Sequence, residues 1–143
     1  MKRSDKMAKL LKINKLHERL AASEFASASD QHDRVEEQLT RLEQYWDEYS
    51  VQLESLKQVT SSVDALRTHQ DFLTRLNEAI TQQRGELSKS GEALENSQNR
   101  LLECSIEVEK IRKARDSLRE KEQVEERRQR QKEHDELVSN RRR

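Results

Sequence analysis

The sequence predicts an all-α protein: two long helices forming an antiparallel coiled-coil hairpin with a projecting C-terminal tail. Three observations carry that reading. An aliphatic residue recurs every seventh position at Leu66, Leu73, Ile80, Leu87, Leu94, Leu101 and Val108, with a second row at His69, Leu76, Gln83, Ser90, Ser97, Cys104, Ile111 and Leu118. The alternating steps of three and four are those of a helical seam. Of the 143 residues, 39% are charged, 31% hydrophobic and 3% aromatic, too few large apolar side chains for a globular core but enough for a narrow seam. The absence of proline and the presence of only two glycines let helices run long.

The first helix is expected over about residues 5–59. Leu10, Ile13, Leu16 and Leu20 give its opening apolar stripe, which thins between Ala21 and Asp33 to Phe25 and Ala28 among weak helix formers such as Ser23, Ser27, Ser29 and Asp30. It resumes at Val35, Leu39, Leu42, Trp46, Tyr49, Leu53 and Leu56. At Thr60-Ser61-Ser62-Val63-Asp64 the heptads lapse, and the Ser61 to Asp64 spacing resembles a capping box, so the turn is expected over about 60–64.

The second helix then spans about 65–120 and returns antiparallel. Counting outward from that turn places Leu53 opposite Leu73, Trp46 opposite Ile80, Leu39 opposite Leu87 and Phe25 opposite Leu101, apolar on both sides. The weak stretch around Ser27 to Asp33 falls opposite Gly91 to Gln98, a candidate level for bending. Residues from about 121 to 143 lie beyond the start of the first helix. They form a charged tail whose apolar residues are only Val124, Leu137 and Val138. The free chain is expected to be a monomer.

Charge is balanced overall but unevenly placed. Residues 1–15 carry six basic groups and one acid, and residues 127–143 carry seven and three, so two basic ends flank an acidic middle. The antiparallel arrangement brings Lys2, Arg3, Lys6, Lys9 and Lys12 beside Arg127, Arg128, Arg130 and Lys132. An Arg-rich tail also permits nucleic-acid binding, but Glu133, Asp135 and Glu136 and the lack of aromatic residues after Phe72 oppose it. No run reaches the eighteen or so apolar residues of a membrane span, and no signal-type apolar region follows the basic N-terminus, so a cytoplasmic protein is expected. Cys104 is the only cysteine and sits on the seam; His17, His32, His69 and His134 share no ligand spacing. No metal, no cofactor and no catalytic constellation are expected.

Polar and aromatic residues run beside the seam: Gln38, Leu42, Tyr45 and Tyr49 on the first helix, and Phe72, Leu76, Ala79 and Gln83 on the second. The same count from the turn sets Leu42 against Gln83, Tyr45 against Ala79 and Tyr49 against Leu76, merging the two stripes into one surface. Wide core packing is the plainer explanation of the same pattern.

The stretch Leu42-Glu43-Gln44-Tyr45-Trp46-Asp47-Glu48-Tyr49 resembles the FliJ family of flagellar type III export proteins. So do His69-Gln70-Asp71-Phe72-Leu73 with Leu76, Ala79 and Ile80, and the tail segment from Arg130 to Leu137. The resemblance covers nearly the whole chain. It implies an antiparallel two-helix coiled coil similar to the central stalk of rotary ATPases, acting with the hexameric export ATPase (FliI-type), the export-gate protein FlhA and export chaperones at the cytoplasmic face of the inner membrane. It further implies that the stripe from Gln38 to Tyr49, with Phe72, Leu76, Ala79 and Gln83, contacts FlhA, and that the basic end meets the ATPase ring. Gln83 departs from the histidine the family can hold there, and the connector is shorter than in some members. The related stalk of a virulence-type secretion system shares this fold and mechanism.

Overall fold

The computed structural model describes residues 1–59 and 62–142. Two helices account for nearly all of them, α1 (Arg3–Val59) and α2 (Val63–Arg141), and both run unbroken through the weak stretches at 27–33 and 90–97. Thr60 and Ser61, and with Ser61 the expected capping pair to Asp64, lie outside the described residues. The observed N-cap of α2 is Ser62, whose Oγ accepts from the Ala65 amide (3.3 Å) while its carbonyl accepts from Leu66 N (3.3 Å).

The chain divides into two compact units, residues 23–99 and residues 1–22 with 100–143. The first of these is a helical hairpin. Leu39, Leu53, Leu73, Leu76 and Ile80 form its buried core, with Leu42, Trp46, Tyr49, Leu66 and Leu87 packed against it. The Tyr49 and Phe72 rings lie with their centroids 4.5 Å apart, and Gln83 reaches Gln38 and Val35.

The weak level of this unit is closed by polar contacts in place of aliphatic ones. Buried Ser90 donates to Leu87 O (3.0 Å), and buried Ser97 to Leu94 O (2.8 Å), which satisfies hydroxyls sitting at seam positions. His32 Nδ1 lies 2.9 Å from the same Ser90 Oγ, a hydrogen bond that links the two helices at this level.

In the other unit, residues 3–22 of α1 run antiparallel to the second half of α2. Its core is small, Leu11, Val108 and Ile111 with Met7 packed on them, and Ser4 and Ala21 are buried on the same face of α1. This overturns the expected inward stripe: Leu10 is 43% exposed and Leu11 only 3%, and Ile13, Leu16 and Leu20 are exposed as well. A coiled-coil seam conserves a seven-residue repeat. Counting in sevens from Leu39, Trp46 and Leu53 arrives at Leu11 and Ser4, and from Val35 at Ala21 and Met7. Ile13, Leu16 and Leu20 lie out of phase with that repeat and point away from α2, while Leu10 sits at its edge, lining a groove with Ala114 and Leu118 of α2.

The N-terminus is fastened to α2 by its own polar groups. Ser4 donates from its amide (3.2 Å) and its hydroxyl to the Glu122 carboxylate, and Lys2 donates to and pairs with Glu126. Contact between the helices thus extends a little beyond Lys121, the expected start of the free tail. The Ser4 hydroxyl bond holds the Glu122 carboxyl below the usual carboxylate range, and the bond from Lys2 does the same for Glu126 while raising Lys2. Lowered carboxyl values contribute stability above the unfolded range that is lost as pH falls through the folded range. The raised amine contributes below its unfolded range and loses its part as pH rises through the folded value. The fastening therefore acts between the two limits. In an NMR titration the Glu122 carboxyl carbon should show a midpoint below that of a free glutamate peptide, moving back toward it in Ser4→Ala. An unshifted midpoint in the wild type would remove the Ser4 contact.

Candidate functional site

The hairpin unit displays the stripe anticipated beside the seam. On α1 the spacing of Gln38, Leu42, Tyr45 and Tyr49 keeps them on one helical face, as does that of Phe72, Leu76, Ala79 and Gln83 on α2. The two faces join at both ends. Near the connection, the Tyr49 and Phe72 rings meet at an interplanar angle of 51°, a tilted pair of the kind worth about 0.5–1.5 kcal/mol beyond its buried area. Farther along, Gln83 Nε2 donates to Gln38 Oε1 and to Val35 O, both at 3.0 Å. A single amide therefore ties the two stripes together.

The eight side chains do not share one environment. Tyr45 is 49% exposed and Phe72 41%, Gln38 is exposed, and Leu42, Tyr49, Ala79 and Gln83 are half-buried. Leu76 is 7% exposed and belongs to the core, so it supports the surface from beneath. Tyr45 and Phe72 are left as the large apolar groups a partner can reach. Beside them, Arg84 and Glu43 form an exposed cross-helix pair at 3.8 Å, which contributes about 0–1 kcal/mol. Sequence reasoning missed the Tyr49–Phe72 pair because it placed those rings a turn apart.

The basic residues of both chain ends fall in the other unit. Lys2 and Arg130 both pair with Glu126, the latter at 3.7 Å, and Arg128 pairs with Glu125 at 3.9 Å. Among the described residues, no ion pair takes up Arg3, Lys6, Lys9, Lys12, Arg127 or Lys132, which leaves those six cations available to a partner. Arg3 and Lys6 also edge a groove of about 570 Å³ between the two helices, floored by Met7, Leu10, Ala114 and Leu118. Among the described residues, no group of His, Cys, Asp and Glu is placed to hold a metal ion, and no helix is long and apolar enough to cross a membrane. Cys104 is half-buried and unpaired with another cysteine.

Compared with known proteins, the chain matches the family model described as "Flagellar FliJ protein" over residues 2–143. No curated protein and no solved structure matches it. A match over essentially the whole length, on a chain of two long helices packed against each other, assigns the family: this chain belongs to the flagellar FliJ proteins.

Proposed function

We propose that the chain is a stalk and escort component of the flagellar type III export apparatus, linking the export ATPase ring to the cytoplasmic domain of the export-gate protein FlhA and to export chaperones. The observation that carries this reading is the joined stripe around Tyr45 and Phe72, which offers two reachable aromatic groups. Aromatic anchors of this kind dominate protein interfaces. Gln38, Leu42, Tyr49, Ala79 and Gln83 complete the gate-binding surface, with Leu76 holding it from the core. The basic residues Lys2, Arg3, Lys6, Lys9, Lys12, Arg127, Arg128, Arg130 and Lys132 form the ring-binding surface, the six without local ion pairs contributing most. The chain works at the cytoplasmic face of the inner membrane at the flagellar base, without a cofactor and without catalysing a reaction itself.

The test is alanine at Tyr45. Because that ring is half exposed, Tyr45→Ala should change stability by no more than about 0.5 kcal/mol, yet weaken binding of the purified FlhA cytoplasmic domain by about 2 kcal/mol or more, roughly thirtyfold. Phe72→Ala should weaken binding similarly but also cost about 1 kcal/mol of stability through the lost Tyr49 contact. Calorimetric titration with thermal melts reads both quantities. Unchanged FlhA binding in the two variants would refute the gate-binding surface.

A further inference from the structure

Gln83 makes two hydrogen bonds with one nitrogen, and their acceptors fix the polarity of the joined stripe at that point. Its Nε2 donates to Val35 O and to Gln38 Oε1, both at 3.0 Å. A main-chain carbonyl only accepts, so the Gln83 atom beside Val35 is the amide nitrogen, and both of its hydrogens are then committed. The Gln38 atom that meets the same nitrogen is therefore the amide oxygen. Gln38 is exposed, and its own Nε2 keeps its hydrogens, with no acceptor for them among the described residues. A free glutamine turns either end of its amide toward a partner; this one offers the donor end. One turn earlier on the same face stands Arg34, also exposed. Its guanidinium is in no ion pair among the described residues, the Glu37 carboxylate being paired with Arg41 at 3.7 Å.

We infer that Gln38 and Arg34 form a donor pair that takes a carboxylate of the gate protein, and that Gln83 is the positioning residue that presents the Gln38 amide to it. The inference rests on the gate-binding reading above and adds to it the polarity of the contact and the chemistry of the occupant. A carboxylate fits the pair because it only accepts, at two oxygens, and its charge is met by the guanidinium. Hydrogen bonds to an ionised group are also stronger than those between neutral groups. Binding normally costs the rotamer freedom of an exposed glutamine, and the bond from Gln83 has already restricted it. Tyr45 and Phe72 then supply apolar contact, while the donors reject a surface that offers an amine or amide N–H at the same place.

The experiment measures binding of the full chain to the purified FlhA cytoplasmic domain at low salt and at about 1 M salt, with helix content and melting as the check on folding. Gln38→Glu is the decisive variant. Its carboxylate still accepts from Gln83 Nε2 but turns an acceptor outward, so it should melt like the wild type and bind about thirtyfold or more weakly. Gln38→Ala, which offers neither donor nor acceptor, should lose about tenfold. Gln83→Met keeps the length of the side chain and removes the donor. It should lose about threefold, and that loss should disappear in Gln38→Ala/Gln83→Met, where nothing is left to position. Arg34→Gln should weaken binding about threefold at low salt and leave binding at high salt unchanged. Wild-type or tighter binding by Gln38→Glu would overturn the donor contact, and a Gln83→Met loss that persists beside Gln38→Ala would overturn the positioning role. Wild-type affinity of Arg34→Gln at low salt would put a neutral carbonyl in place of the carboxylate and overturn the proposed occupant. Loss of binding in Tyr45→Ala, with Gln38→Glu and Gln38→Ala at wild-type affinity, would overturn this inference and leave the gate-binding reading intact. Failure of the wild type to bind FlhA at all would overturn both.

Discussion

Leu11→Ala is expected to destabilise the unit built from residues 1–22 and 100–143 by about 2–5 kcal/mol, the range for emptying a buried leucine site. Leu10→Ala, one residue earlier, should change stability by less than about 0.5 kcal/mol. Leu11 is buried among Val108, Ile111 and Met7, while Leu10 stands outside that cluster. The core there is small, so no neighbouring leucine can take over the lost contacts. Hydrogen exchange over residues 3–22 is the direct measurement, since opening of this segment need not unfold the hairpin unit. The opposite ranking, with Leu10 the sensitive position, would mean that the aliphatic stripe packs inward and that the seven-residue repeat does not persist to the N-terminus.

Reversing Lys9, Lys12, Arg127 and Lys132 to glutamate is expected to weaken ATPase association at low salt by about 2–4 kcal/mol. Each exposed attraction is worth about 0–1 kcal/mol, and reversal replaces attraction by repulsion. Binding to FlhA should be unaffected. This set avoids Lys2, Arg128 and Arg130, because Glu126 and Glu125 already neutralise them and a glutamate there would repel its former partner within the molecule. The quantity to follow is the slope of affinity against ionic strength, which should flatten in the reversed protein. Ring binding that survives the four reversals with the wild-type salt dependence would show that the basic residues are not the docking surface.

How much of this was legible without coordinates differs from one segment to the next. Leu66 to Val108 repeat in sevens, and residues spaced in this way share one face of any helix that contains them. The seam of α2 could therefore be read directly, and Leu73, Leu76, Ile80, Val108 and Ile111 are indeed buried. Absence of proline and scarcity of glycine likewise determined that the chain forms long helices, because both are backbone properties carried by each residue alone. Composition also marked the two basic ends, and the positions of Tyr45 and Phe72 on their helical faces followed from spacing.

Only the tertiary structure decided which faces meet. Spacing along one helix does not say which side chains cross to the other, and the structure sets Phe72 against Tyr49 and Gln83 beside Gln38. It also separated Leu76, which packs in the core, from the stripe residues that a partner can touch. The N-terminal stripe was visible as Leu10, Ile13, Leu16 and Leu20, but its direction was not. A local pattern says that four side chains share a face; whether that face is buried is set by the phase of the seam running along the rest of the helix, and that phase selects Ser4, Leu11 and Ala21.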